Sequence, residues 1–263
     1  ASLRAYFRFG AYETAANVTD VISTNLNAIL IGKLFSAHDA GLYDRAQRLQ
    51  QLPANTLTLI LNRVAFPAFS RRNADKAWLA HGLKRAQQLS MAINLPAMAA
   101  LIVLAEPLLL TLLGARWVAA APVVRVLALA SVLWPLHVMN LSVLRAQGEA
   151  DSFFRITMLK KVVTIGLTLA VSPFGALAIA WAQVVASVFA YLVNTHFSKR
   201  LLDYGAAAQL RDLRGLLLAT APMAAAMLAV TTWLDAAPAI TLLLALLAGA
   251  AVYWLACRLL CRE

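Results

Sequence analysis

Eight apolar runs, each about twenty residues or longer, constrain this chain more than any other feature. They cover approximately 10–32, 41–68, 86–105, 118–144, 153–172, 174–196, 215–234 and 237–258. A bilayer core about 30 Å thick needs about 20 residues of helix to cross it. The 263 residues are 62% hydrophobic and 13% charged, whereas soluble domains sit nearer half apolar and a quarter charged. The expectation is an all-α integral membrane protein with about eight transmembrane helices. Pro107, Gly114, Gly148, Pro173, Gly175, Gly205 and Pro238 punctuate the boundaries. The short connectors SPFG and LDAAP predict that the fifth and sixth spans, and the seventh and eighth, form antiparallel pairs. The first two spans are the least apolar.

The net charge of +11 is not a nucleic-acid signal, because the basic residues cluster between apolar runs instead of lining one exposed face. Their distribution orients the chain. With the N-terminus in the cytoplasm, seventeen of the 23 basic residues fall on the cytoplasmic side, Arg145, Arg155, Lys160 and Lys161 among them. The last three of these sit in the opening turns of span five and are expected to snorkel back to the interface. Lys33 and Arg116 fall outside, and Arg45, Arg48, Arg63 and Arg125 within spans. The positive-inside rule then places both ends of the chain in the cytoplasm. Cys257 and Cys261 have no histidine beside them, so no metal site is expected. The start lacks a signal peptide's apolar core, and the missing initiating Met reads as a fragment or a processed piece.

The first span carries a polar stripe. Glu13, Asn17, Asp20, Thr24 and Asn27 fall within an arc of about 80° on a helix. A charge at the bilayer centre costs at least ~3 kcal/mol, so this stripe must face water or polar neighbours. In the second span Arg45, Thr56 and Arg63 share a face, with Arg48, Gln51, Asn55 and Asn62 beside them. Pro53 lies within this helix and is expected to kink it. Together the two helices predict a hydrated cavity of mixed charge. Two readings stay open. Glu13 or Asp20 pairs with Arg45 or Arg48 as a structural bridge, or the two arginines hold a substrate, their planar forks matching phosphate. Arg63 reads as a snorkelling residue. His137 reads as packed, and Asn94, Gln183 and Asn194 as helix–helix hydrogen bonders. No nucleotide-binding, zinc-protease or nucleophile–base pattern occurs, and neither enzyme activity nor a cofactor is expected.

The stretch AILIGKLFSAHDAGLYDRAQRLQQLPANTLTLILNRVAFPAFSR, with LLLTLLGARWVAAAPVVRVLAL and LRAQGEAD further on, resembles the polysaccharide-exporter flippases of the Wzx type. That superfamily also holds multidrug extruders and lipid II flippases. Leu42 stands where the family has a Tyr, so no hydroxyl role carries over there. The resemblance, over residues 3–200, implies a fourteen-helix bundle of two six-helix lobes and two extra helices. Residues 1–200 would then be the second lobe and 201–263 the extra pair, with the first lobe absent from this chain.

The implied substrate is a polyprenyl-diphosphate-linked oligosaccharide, moved across a bacterial inner membrane for lipopolysaccharide, O-antigen or exopolysaccharide synthesis. A polysaccharide polymerase and glycosyltransferases are the implied partners, beside membrane lipids. On this reading Arg45 and Arg48 hold phosphate. Glu13, Asn17, Asp20, Thr24, Asn27, Gln51 and Asn55 meet sugar hydroxyls or a coupling ion. Rocking of one lobe against the other would alternate access. The alternatives are a cation- or proton-coupled drug antiporter working through Glu13 or Asp20, and a non-transporting membrane scaffold.

Overall fold

A computed structural model describes residues 14, 26–71, 75–148, 150–234 and 236–260, with the backbone alone at 57, 59–68 and 150. No strand occurs among the described residues. Residues 26–34 form helix α1, and Ser36 starts α2 (Ala37–Arg71). The Ser36 hydroxyl accepts the Asp39 N–H at 3.0 Å and donates to the Asp39 carboxylate at 2.6 Å. That arrangement satisfies a donor that the first turn leaves open. Helix α2 continues unbroken through Pro53 and Pro67 for 35 residues.

The third span begins ten residues before its expected start. Asp75 accepts the Trp78 N–H at 2.9 Å and so caps α3 (Lys76–Val103). Lys84 and Arg85, which precede the expected start of this span, are therefore helix side chains. A short α4 (Ala105–Leu112) follows. The fourth span is not one helix. It comprises a 3₁₀ turn (Ala115–Ala120), α5 (Ala121–Ser131) and α6 (Trp134–Ala146). Beyond it come α7 (Ala150–Val171), α8 (Ala176–Leu202), a short α9 (Ala206–Asp212), α10 (Arg214–Trp233) and α11 (Pro238–Leu260). Gly148 (φ 75°) ends α6 and Gly175 (φ 100°) opens α8, both in backbone conformations that glycine adopts without strain.

By length and composition, α3, the 115–146 stretch, α8, α10 and α11 can each cross a membrane. Helices α2 and α7 have the length, at 35 and 22 residues, but carry more polar side chains. The expected antiparallel pairs are present: α7 packs on α8 and α10 on α11. Gly249 permits the second contact, because a Cβ there would collide with Met227 Cε. Small residues let membrane helices approach in this way. The α10–α11 pair leans on the rest through α3 and α4. Its outer surface, with that of α7 and α8, exposes Leu159, Val162, Leu169, Val185, Leu192, Leu243 and Leu247. Contiguous apolar surface of this extent suits lipid and not water. The chain is an all-α, multi-span membrane protein.

Buried amides tie the bundle together. Asn140 on α6 and Gln209 on α9 bond reciprocally, Nδ2 to Oε1 at 3.2 Å and Nε2 to Oδ1 at 2.9 Å. Gln87 of α3 donates to Gln209 Oε1 at 3.2 Å, and Ser198 of α8 to Asn140 Oδ1 at 2.7 Å. Four helices thus share one polar knot away from lipid. The break between α5 and α6 is handled likewise. Pro135 has no N–H to give the Ser131 carbonyl four residues back. Asn94 of α3 supplies the missing donor, its Nδ2 reaching Ser131 O at 3.1 Å and Val132 O at 3.0 Å. Asn94 joins helices as expected, and it also repairs a broken one.

Asn94→Leu should therefore lower stability by about 1–3 kcal/mol, the cost of unsatisfied buried groups. Adding Pro135→Ala should recover part of that loss, because an alanine at this position brings an N–H for Ser131 O. Thermal unfolding of the purified variants in one detergent checks both outcomes.

Candidate functional site

The break in span four opens one wall of a cavity of about 590 Å³. Helix α2 contributes Tyr43, Gln47, Gln50, Gln51, Asn55 and Thr58. Ser131, Trp134, His137, Ser142 and Arg145 come from α5 and α6. The opposite wall is α7, through Thr157, Lys160, Lys161 and Thr164, together with Gln183 and Ser187 of α8. The cavity is thus lined by polar side chains while the outer surface is apolar, as a bundle in lipid must be when it carries ionisable groups.

Cross-helix bonds hold this wall. Gln50 Nε2 donates to Ser131 Oγ. Trp134 Nε1 donates to Thr58 Oγ1 at 2.9 Å. Asn27, at the cavity's edge on α1, is buried and donates to the Tyr43 hydroxyl at 3.2 Å. On the far side a chain of four side chains runs through the interior. Lys160 Nζ donates to Asn194 Oδ1 at 3.0 Å. Asn194 Nδ2 lies 3.5 Å from His137 Nδ1, and His137 Nε2 lies 3.1 Å from Ser187 Oγ. With Asn194 Oδ1 taken by an ammonium, its amide NH₂ faces the ring, so Nδ1 accepts and the Nε2–H is left for Ser187. His137 is packed, as expected, and bonded at both nitrogens.

Lys160 departs from expectation. Ten residues into α7, it lies about 15 Å along the axis from the helix start. That is the middle of the 22-residue helix, and the side chain bonds Asn194 on α8. Lys161 lines the same cavity. Arg145 approaches from the end of α6, with its guanidinium 4.6 Å from the Phe153 ring centroid. Three cations therefore line the space, and no carboxylate lines it among the described residues. This cluster was legible in the spacing. Thr157, Lys160, Lys161 and Thr164 follow the i, i+3, i+4, i+7 rhythm of one helix face. Its nearness to a chain of basic residues hid it.

Of the expected site residues, Asn27, Gln51 and Asn55 line the cavity. Arg45 and Arg48 do not. Arg45 is exposed on α2 with its guanidinium 5.4 Å from the Trp117 ring centroid. Arg48 is 69% exposed and bonds Asp44 one turn away at 2.8 Å. Glu13, Asn17, Asp20 and Thr24 lie outside the described residues, as does the Arg63 side chain. Arg125 bonds Glu106 at 2.7 Å and the Ile102 carbonyl at 3.3 Å.

Residues 1–122 match the family described as "Polysaccharide biosynthesis protein". The resemblance to polysaccharide exporters is borne out. The teichuronic acid biosynthesis protein TuaB of Bacillus subtilis is 26% identical over 222 residues, 84% of this chain and 46% of that protein. The lipopolysaccharide biosynthesis protein WzxC of Escherichia coli is 28% identical over 165 residues, 63% of this chain and 34% of its own. The succinoglycan biosynthesis transport protein ExoT of Rhizobium meliloti is 27% identical over 229 residues, covering 85% and 44%. The chain thus spans less than half the length of these three relatives. The lipid II flippase MurJ, in an inward closed conformation, shares the fold with a TM-score of 0.79 at 16% identity, over 92% of this chain and 51% of that structure.

If Asn194 is what supports Lys160 inside the bundle, Asn194→Leu should cost about 1–3 kcal/mol by stranding an ammonium group. Replacing both, as Lys160→Met with Asn194→Leu, should return stability close to that of the parent. A thermal-unfolding cycle over the four proteins measures the coupling.

Proposed function

We propose that this chain is part of a flippase that moves a polyprenyl-diphosphate-linked oligosaccharide across a bacterial inner membrane, and that it transports its substrate without chemically changing it. One observation carries the reading. The interior cavity combines three cations with amides and hydroxyls, and shows no carboxylate among the described residues. A diphosphate needs the cations, and a sugar needs the amides and hydroxyls. The names of the relatives, which concern polysaccharide biosynthesis and transport, favour the same substrate class.

In this proposal Lys160, with Lys161 and Arg145, holds the diphosphate within the bundle. Lys160 exchanges the neutral Asn194 oxygen for a charged one. The bond to Asn194 is charged on the donor side alone, whereas a bond to phosphate pairs opposite charges and adds their Coulomb attraction. Gln51, Asn55 and Asn27 meet sugar hydroxyls, and so would Glu13, Asn17, Asp20 and Thr24 on the stripe of the first span. Arg45 and Arg48, nearer the opposite end, form a second, outer station for phosphate on the exposed flank of α2. The polyprenyl tail stays in lipid throughout.

Residues 1–200 would act as one lobe of a larger transporter and 201–263 as its added pair, with both ends of this chain cytoplasmic. A polysaccharide polymerase and glycosyltransferases would supply and consume the cargo. A cation antiporter fits less well, because its substrate would meet ammonium and guanidinium groups in the cavity.

The test uses Lys160→Met/Asn194→Leu, which is expected to fold, in the full-length protein. Surface polysaccharide, normalised to membrane protein abundance, should fall about tenfold or more. Lys160→Arg should retain most export, and Arg45→Ala/Arg48→Ala should lose part of it. Parental export by the Lys160→Met/Asn194→Leu protein would remove the phosphate role from this cavity.

A further inference from the structure

A second cleft, of about 430 Å³, opens at the end of the bundle where α3, α9, the start of α10 and the end of α11 meet. Lys84 and Arg85 of α3, Arg211 of α9 and Arg214 of α10 line it. Asp212 is the one carboxylate in that lining among the described residues, and its oxygens are already engaged. Lys84 Nζ donates to Oδ1 at 3.1 Å and the Tyr204 hydroxyl to Oδ2 at 2.9 Å. Burial first, and then the Asp212 contact, raises the Tyr204 pKa, so that hydroxyl remains a donor. The guanidinium groups of Arg85, Arg211 and Arg214 form no ion pair among the described residues, and all three residues are exposed.

Two helix ends border the cleft. Helix α10 begins at Arg214 and α11 ends at Leu260, so two apolar spans terminate at its rim. Leu89, 70% exposed on α3, and the exposed Leu260 line it beside the basic groups. Cationic groups therefore sit at headgroup level, directly above apolar surface. Basic pockets between membrane helices match the phosphate of an anionic lipid in this way. We propose that this cleft is a binding site for an anionic phospholipid, with the headgroup phosphate held by Arg85, Arg211 and Arg214 and an acyl chain lying along Leu89 and Leu260. The site is separate from the interior cavity and does not depend on what that cavity transports. A lipid held here would clamp the α10–α11 pair to α3, since it touches all three.

The experiment titrates a fluorescent phosphatidylglycerol into the intact protein in neutral detergent, with phosphatidylcholine and inorganic phosphate as separate probes. Each basic side chain near an anionic headgroup is worth about fivefold in affinity, so Arg85→Gln/Arg211→Gln/Arg214→Gln should weaken phosphatidylglycerol binding about a hundredfold. The matching triple Lys variant should keep it. A charge-matched control, Lys33→Gln/Arg71→Gln/Arg155→Gln, should leave it unchanged. Equal binding of phosphatidylcholine, equal loss in the control, or displacement by inorganic phosphate would each overturn the proposal, the last by showing a site for a soluble ion. Should the Gln variant not fold, the phosphatidylcholine, phosphate and Lys-variant arms still decide.

Discussion

Everything in this bundle follows from the rule that a polar group inside a membrane protein must find its partner inside the protein. Lys160 shows it best. An ammonium inside the helix bundle is costly, and it is tolerated because Asn194 on the next helix accepts its hydrogen bond at 3.0 Å. His137 and Ser187 then follow from Asn194, and with them the seating of α6 and α8 against α7. The Asn140–Gln209 knot does the same for α3, α6, α8 and α9. In water such bonds would compete with solvent. In lipid the alternative is an unsatisfied group, so these few side chains decide which helix faces meet.

The cavity is a consequence of the same rule applied to a broken helix. Pro135 removes a backbone donor, Asn94 replaces it from α3, and the turn between α5 and α6 aims Ser131, Trp134 and His137 inward. Polar residues of α2 and α7 then gather on the far walls. Apolar residues of the same helices, such as Leu159 and Val162, are left for lipid. The inside-out distribution both holds the helices in a membrane and provides space in which a charged headgroup could sit.

Much of the architecture was legible in the sequence, because length and hydropathy report directly on crossing a bilayer. The apolar runs from residue 41 onward, the SPFG pairing and the bonding roles of Asn94, Gln183 and Asn194 have their counterparts among the described residues, while most of the first run lies outside them. Hydropathy could not see the break at Val132–Leu133, because the residues on either side are as apolar as an intact helix. Nor could it place Lys160, since the positive-inside rule counts charges and ignores where a side chain points. The cationic face of α7 was written in its helical spacing but hidden beside the basic residues at the helix start. On α2 the broad polar face divides in two: Gln47, Gln51 and Asn55 enter the cavity, while Arg45 and Arg48 stay on the exposed flank.

The central claim is that the space between α2, α6 and α7 is a water-filled path for a lipid-linked saccharide headgroup. Single cysteines in the full-length protein, with Cys257 and Cys261 replaced by Ser, test it most directly. In membranes, cysteines at Thr157, Thr164 and Ser187 should react with a water-soluble thiol reagent, and added polyprenyl-diphosphate-linked oligosaccharide should protect them. Cysteines at Leu159, Val162 and Leu169 should stay unreactive. Equal labelling around α7, or no protection by the lipid-linked sugar, would contradict the account.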